Sequence, residues 1–321
     1  MEENKVLEPL EYGELVVSAT PHLRSSNTVR QEMLNVCIAL MPALFAAVYF
    51  FGLRSLIITA VSVGACVLSE YIYEKITQRE ISIGDFSAVV TGILLAYNLP
   101  VSIPLPMVAL GGVFAIIIVK QLFGGLGANF MNPALGARAF LMASWSSHMA
   151  NFTVPRTDMV SAPTYLSGAM DEGIIISVKD AFIGNMGGCI GEVSALALLI
   201  GAIYLIAKKI ISLRIPLVYI GSTVIVLLLC GIPMADIPLQ ILSGGLILGA
   251  FFMATDYVTA PVSRKGQIIF ALGCGIFTAL IRVFGALPEG VSYSILVMNA
   301  ASPLIEQLTM PKPFGRGGSN K

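Results

Sequence analysis

The sequence predicts an all-α polytopic membrane protein of about ten transmembrane helices, arranged as two inverted five-helix repeats with broken or half helices. Three observations carry this. Of 321 residues, 19 are Lys or Arg and 19 are Asp or Glu, 12% in all, against roughly 25% in a soluble domain. Apolar residues make up 56%, and too few charges remain to wet a surface of this size, so most of the chain is dissolved in lipid. The basic residues are also strongly sided, as the order of segments shows.

Apolar runs occur at 35 to 53, 55 to 73, 86 to 98, 105 to 123, 133 to 147, 190 to 207, 215 to 231, 237 to 254, 268 to 285 and 291 to 308. The run 86 to 98 ends at Leu99-Pro100 and rises only about 20 Å, short of a roughly 30 Å hydrocarbon core, so it predicts a half-helix. With the N-terminus in the cytoplasm, Lys5, Arg24, Arg30, Lys75, Arg79, Lys120, Lys208, Lys209, Arg214, Arg264, Lys265, Lys312, Arg316 and Lys321 fall inside. Only Arg54, Arg156 and Lys179 fall outside, and Arg138 and Arg282 lie within segments. That asymmetry orients the chain with both termini cytoplasmic.

The expected organisation is a cytoplasmic segment 1–34, a first repeat 35–147, an extracytoplasmic loop 148–189, a second repeat 190–308 and a cytoplasmic tail 309–321. Five crossings per half turn the second copy upside down, as in many transporters. A short echo accompanies this: Lys120, Phe123, Gly124, Leu126, Asn132 and Pro133 in one half, and Arg282, Phe284, Gly285, Leu287, Asn299 and Pro303 in the other. Gly111-Gly112, Gly187-Gly188 and Gly244-Gly245 in or beside apolar runs suit close helix approach.

Several function classes are excluded. The five cysteines, Cys37, Cys66, Cys189, Cys230 and Cys274, form no C-x-x-C pair, so neither a disulfide framework nor a zinc or iron-sulfur site is expected from this chain alone. Net charge is zero and no basic stretch is interleaved with aromatics, so no nucleic-acid partner is expected. The first thirty residues carry Glu2, Glu3, Glu8, Glu11 and Glu14 without an apolar core, and no cleavable signal peptide is expected.

Ionisable groups within apolar runs are costly, roughly 2.5 to 3.5 kcal/mol each at the bilayer centre, and need a partner or a cavity. Glu70 and Asp85 sit near segment ends, where water suffices. Glu192, opening one segment, and Asp256, closing another, are carboxylates suited to a cation path; an internal salt bridge to Arg138 or Arg282 explains them equally well. In the outer loop, Pro163 pushes Ala162 extended and leaves Thr164 exposed near Asp158.

Several stretches, in order, carry a resemblance: Ser18-Ala-Thr-Pro-His22-Leu-Arg24, Gly84-Asp-Phe-Ser-Ala-Val-Val-Thr91-Gly92, Phe123-Gly-Gly-Leu-Gly127 with Asn132-Pro133-Ala134, Gly191-Glu192-Val-Ser194, Phe252-Met-Ala-Thr-Asp256 and Ile281-Arg282. The chain resembles the D subunit of the Rnf complex, a membrane ferredoxin:NAD oxidoreductase, and its relative, the B subunit of the sodium-pumping NADH:quinone oxidoreductase. The resemblance implies flavin mononucleotide (FMN) attached through its phosphate to the threonine of a D-x-x-S-G-A-T motif. Here Asp158-Met-Val-Ser161-Ala162-Pro163-Thr164 keeps Asp158, Ser161 and Thr164 and departs at Ala162 and Pro163. It further implies flavin or subunit contacts at His22 and Arg24, a noncovalent riboflavin near Asn129 and Asn132, and a cation path through Glu192 and Asp256, where the family's Thr after the Glu is Val193.

The implied function is electron transfer through the flavin coupled to sodium or proton translocation across a bacterial or archaeal inner membrane. The A, B, C, E and G subunits of the complex are the expected partners, with ferredoxin and NAD held by them, since this chain has no Gly-rich strand-to-helix fingerprint and no cluster-binding cysteines. The competing expectation is a stand-alone small-solute channel of urea-channel-like architecture, built on the same inverted repeats.

Overall fold

The structure is a computed structural model and describes residues 28–153, 166, 177–192, 194–285 and 290–310. The expectations placed on His22, Arg24, Asp158, Ser161 and Thr164 fall outside those residues. Every regular element among the described residues is helical. Among the described residues, four helices are long and apolar enough to cross a membrane: α1 (Val29–Phe51), α2 (Leu53–Ile76), α4 (Leu105–Phe123) and α12 (Arg264–Phe284). Shorter apolar helices lie at Ser87–Tyr97, Ala195–Ala207 and Arg214–Leu229, in keeping with the broken or half helices expected.

Helix α1 starts ahead of its apolar run because Thr28 and Gln31 form a reciprocal capping box, each side chain accepting from the other's backbone N–H. A single residue, Gly52 at φ 77°, separates it from α2, a backbone state that glycine adopts without strain. Helix α3 (Ser87–Tyr97) has eleven residues, the half-helix expected from Leu99-Pro100. Asp85 Oδ1 accepts from both the Ser87 N–H and hydroxyl and so caps it. Beyond α3, Arg54 donates to the carbonyls of Val101 and Ile103, satisfying backbone that the break leaves open.

Helix α4 is α-helical over Leu105–Val113, then passes through a π stretch, Phe114–Lys120, and a 3-10 turn, Gln121–Phe123. Helix α5 (Pro133–Ser144) begins at Asn132, whose Oδ1 accepts from the N–H groups of Ala134 and Leu135. The short helices α6 (Ser146–Met149) and α7 (Val178–Ile183) flank the outer loop. Residues 190–192, expected at the start of a helix, instead form a turn, closed by the Glu192 N–H on the Cys189 carbonyl, against the broken end of α3: Ile190 N–H donates to the Leu99 carbonyl and Gly191 N–H to that of Tyr97. Helix α8 (Ala195–Ala207) starts only after the Ser194 cap. The glycines of this stretch leave its backbone free to hydrogen-bond sideways, and at Gly191 a Cβ would collide with the Tyr97 side chain.

Helix α9 (Arg214–Leu229) follows, and the run 237 to 254 then breaks into α10 (Ile237–Leu242) and α11 (Leu246–Leu248), which continues as a second π stretch, Gly249–Met253. Gly244 and Gly245, both at φ 68°, make the break. Helix α13 (Val291–Thr309) closes the bundle. The main core, with Leu40, Tyr97, Leu198, Phe252, Phe270 and Ile295, draws on helices from both halves of the chain. Helix α1 packs along α8, α2 along α3 and α4, and α12 along α9 and α13.

Small residues set these crossings. Gly201 of α8 lies directly on the Ala39 carbonyl of α1, where any Cβ would collide with backbone. Substituting Gly201→Ala therefore pushes α8 off α1, an overpacking cost of about 1 to 3 kcal/mol. A thermal melt of the detergent-solubilised chain reads this as a lower midpoint than wild type; Gly221→Ala, with open space around it, serves as the control.

Candidate functional site

Ends of α1, α3, α4 and α8 and the second π stretch meet around one pocket, with about 810 Å³ of empty space that includes open solvent. Its walls are apolar: Val36 from α1, Val90 and Leu94 from α3, Leu205 from α8, and Phe251 and Phe252 from the second π stretch. Both π stretches border it, since Lys120 ends the first. Such wide turns re-aim side chains and occur often at functional sites.

The polar edge is provided by Asn129, Asn132, Lys120, Ser87 and Thr91. Asn132 spends its Oδ1 on the cap of α5, whereas Asn129 donates to the Met131 carbonyl and leaves a buried Oδ1 with no hydrogen-bond partner. An orphaned buried acceptor costs about 1 to 3 kcal/mol, which a ligand N–H in the pocket would relieve. Lys120 Nζ lies 2.6 Å from Glu70 Oε1 and 2.6 Å from Ser87 Oγ, and Gln121 Nε2 donates to the same Glu70 oxygen at 2.9 Å. Glu70 is thus not solvated as its position suggests but fully buried, 0% exposed, against α4. Fifty residues separate the two charges, so no local pattern discloses the pair.

Flat apolar walls, a buried acceptor and adjoining donors are the donor set that a flavin ring system requires, with its carbonyl oxygens and ring N–H on one edge. The residues present therefore fit the group that the sequence implies near Asn129 and Asn132. Asp256 lines the same pocket, where its carboxylate accepts from the Val258 N–H and the Thr259 hydroxyl and shapes the turn after the π stretch.

Glu192 lies elsewhere, at the junction where α3, α5, the turn 189–192, the α10 to α11 break and α13 converge. Arg138 of α5 donates to Asn98 Oδ1 at 2.7 Å and to Ser292 Oγ at 2.9 Å, and its Nη1 stands 3.8 Å from Glu192 Oε1. Glu192 Oε1 is buried without a hydrogen bond and touches the position a Cβ would take on Gly245, 2.6 Å away. The salt-bridge alternative for Glu192 is therefore realised with Arg138. Arg282 instead reaches the carbonyls of Gln240 and Ser243 across the α10 to α11 break. Sidedness alone puts Lys120 among the solvated cytoplasmic residues, yet it is 2% exposed and lines the pocket.

Of the residues predicted from sequence, the structure brings Asn129, Asn132 and Asp256 to one pocket and places Glu192 at a separate buried junction. No group of three or more His, Cys, Asp or Glu able to hold a metal occurs among the described residues.

The model of the NQR2, RnfD, RnfE family matches residues 16–315. The chain is 52% identical over 306 residues, 94% of its length and 95% of the relative's, to the D subunit of the Na(+)-translocating ferredoxin:NAD(+) oxidoreductase complex of Acetobacterium woodii. It is 43% identical, over 93% and 96% of the two chains, to the D subunit of the proton-translocating ferredoxin:NAD(+) oxidoreductase complex of Clostridium ljungdahlii. To the D subunit of an ion-translocating oxidoreductase complex of Methanosarcina acetivorans it is 34% identical, over 93% and 96%.

Proposed function

The chain belongs to the NQR2, RnfD, RnfE family, and from that premise we propose that it is the membrane electron-transfer subunit of an ion-translocating ferredoxin:NAD oxidoreductase. In this reading it carries FMN esterified to Thr164, within the motif of Asp158 and Ser161, and a noncovalent riboflavin in the pocket edged by Asn129 and Lys120. The flavins supply one-electron and two-electron redox chemistry. The chain's own part is to hold them, keep the pocket dry and fix their hydrogen bonds. Ferredoxin and NAD bind to partner subunits of the complex, His22 and Arg24 are the residues proposed to contact those subunits or a flavin, and the cation moved is sodium or a proton. Glu192 and Asp256 are the carboxylates proposed for its path.

The observation that carries the pocket assignment is Asn129 Oδ1, buried, unpartnered and beside an apolar slot. Its test uses the full chain purified alone from the native host, so that flavins of other subunits are absent. Acid precipitation leaves covalent flavin in the pellet and releases bound flavin to the supernatant. Asn129→Ala is expected to weaken retention of the released flavin about tenfold, corresponding to roughly 1.4 kcal/mol, and Lys120→Met to do the same. Full retention in both variants would show that the released flavin came from another place on the chain.

A further inference from the structure

The pocket described above takes no wall from α13, yet this helix carries a polar face of its own. Ser292, Asn299 and Glu306 follow one another at intervals of seven residues, which keeps them within about 40° around the helix and spaces them about 10 Å apart along it. Asn299 is 0% exposed, and neither its Oδ1 nor its Nδ2 has a hydrogen-bond partner among the described residues. Its backbone adds a third open group. Pro303, four residues on and within the helix, has no N–H to return to the Asn299 carbonyl. Ser302, also buried, brings a hydroxyl to the next turn.

An amide buried without partners is costly in an apolar bundle. Membrane helices that contain proline re-satisfy the freed carbonyl through neighbouring helices, hydroxyls or ordered water, and a buried water makes about three hydrogen bonds to groups otherwise unpaired. Asn299 offers that set on one residue: two oxygen acceptors and an NH2 donor. A sodium ion would take the oxygens and leave the NH2 unpaired, with Glu306, the carboxylate of this face, about 10 Å along the helix. We propose that Asn299 is a buried water site and a relay point on the cation route. It stands between Ser292, whose hydroxyl accepts from Arg138 beside Glu192, and Glu306, half-buried in the last turn of α13. The relay role rests on the function proposed above, in which Glu192 is a carboxylate of that route; the water site itself does not.

The site is read first as density. A map of the wild-type complex that resolves ordered solvent should show a peak about 2.7 to 3.2 Å from the Asn299 amide. No peak there overturns the site, and a peak ringed by oxygens alone, inside hydrogen-bond range, makes the guest a sodium ion and overturns the water. Melting of the full-length chain is the second readout. Leucine is close to asparagine in shape and has no polar side-chain atom, so Asn299→Leu raises the midpoint of a dry site, by removing unpaired groups, and lowers that of an occupied one, by removing the water's partners. A fall of several degrees is expected; a rise overturns the site. The relay is read in the assembled complex in sealed vesicles, as cations moved per electron transferred. Asn299→Leu should lower that ratio several-fold with flavin content unchanged, and Asn299→Ser, which keeps a hydrogen-bonding group and makes room for a second water, should restore most of it. If Asn299→Leu does not assemble, Glu306→Gln takes its place and should lower the ratio in the same direction. An unchanged ratio beside a lowered one in Glu192→Gln overturns the relay alone, whereas unchanged ratios in both strike the proposed route itself.

Discussion

Substituting Thr164→Ala is expected to leave the denatured chain without flavin fluorescence on a gel, while wild type from the native host fluoresces under ultraviolet light. The reason is chemical. A phosphoester survives denaturation and a noncovalent flavin does not, so the signal that remains on the unfolded chain reports only the attached group. Among the hydroxyls of the outer loop, Thr164 alone completes the spacing from Asp158 and Ser161; the neighbouring Ser167-Gly168-Ala169-Met170 has methionine at the acceptor position. The loss should be complete, and the riboflavin released from the pocket should be unaffected. Fluorescence that persists in Thr164→Ala would move the attachment to a different residue.

The second large effect is expected at Arg138. Its guanidinium holds together α3 through Asn98, α13 through Ser292 and the turn 189–192 through Glu192. Arg138→Met strands a buried carboxylate whose Oε1 has no hydrogen bond to fall back on. Removing one partner of a buried pair costs about 3 to 5 kcal/mol, so the melting midpoint of the solubilised chain should fall by on the order of 10 °C. Glu192→Gln alone should cost less, because Arg138 keeps Asn98 and Ser292 as acceptors. The double variant Arg138→Met/Glu192→Gln should recover much of the loss, since the stranded charge is then gone. Equal melting of Arg138→Met and wild type would mean that the junction is not held by this charge.

Much of this architecture is legible in the sequence because it rests on local rules. Apolar length marks α1, α2, α4 and α12, and Pro100 announces the short α3. The break at Gly244 and Gly245 is harder to see, because an apolar run reads as continuous even where two adjacent glycines take positive φ; the glycine pair itself is the available signal. Residues 190–192 escape for a related reason. They stand at the head of an apolar run, and the open carbonyls of Tyr97 and Leu99, far away in sequence, take up the Ile190 and Gly191 N–H groups.

The site divides in the same way. Asn129, Asn132 and Asp256 stand in family motifs, and the structure gathers them at one pocket. Glu70 reads as solvated because it stands near a segment end; its burial against Lys120 follows from the packing of α2 against α4, which sequence spacing does not encode. Glu192 is recognisable by cost alone as a charge that needs a partner or a cavity; sequence leaves Arg138 and Arg282 both open as that partner, and the structure supplies Arg138.

The most direct measurement for the central claim, that this chain is a flavin carrier, is a flavin count on the full-length chain purified alone from its native host. Intact-mass spectrometry with peptide mapping should find the polypeptide heavier by one FMN less one water, localised to the peptide containing Thr164, and chromatography of the acid supernatant should find one riboflavin per chain. A chain at its plain polypeptide mass, with a colourless supernatant, would contradict the account and return the helical bundle to the class of solute channels.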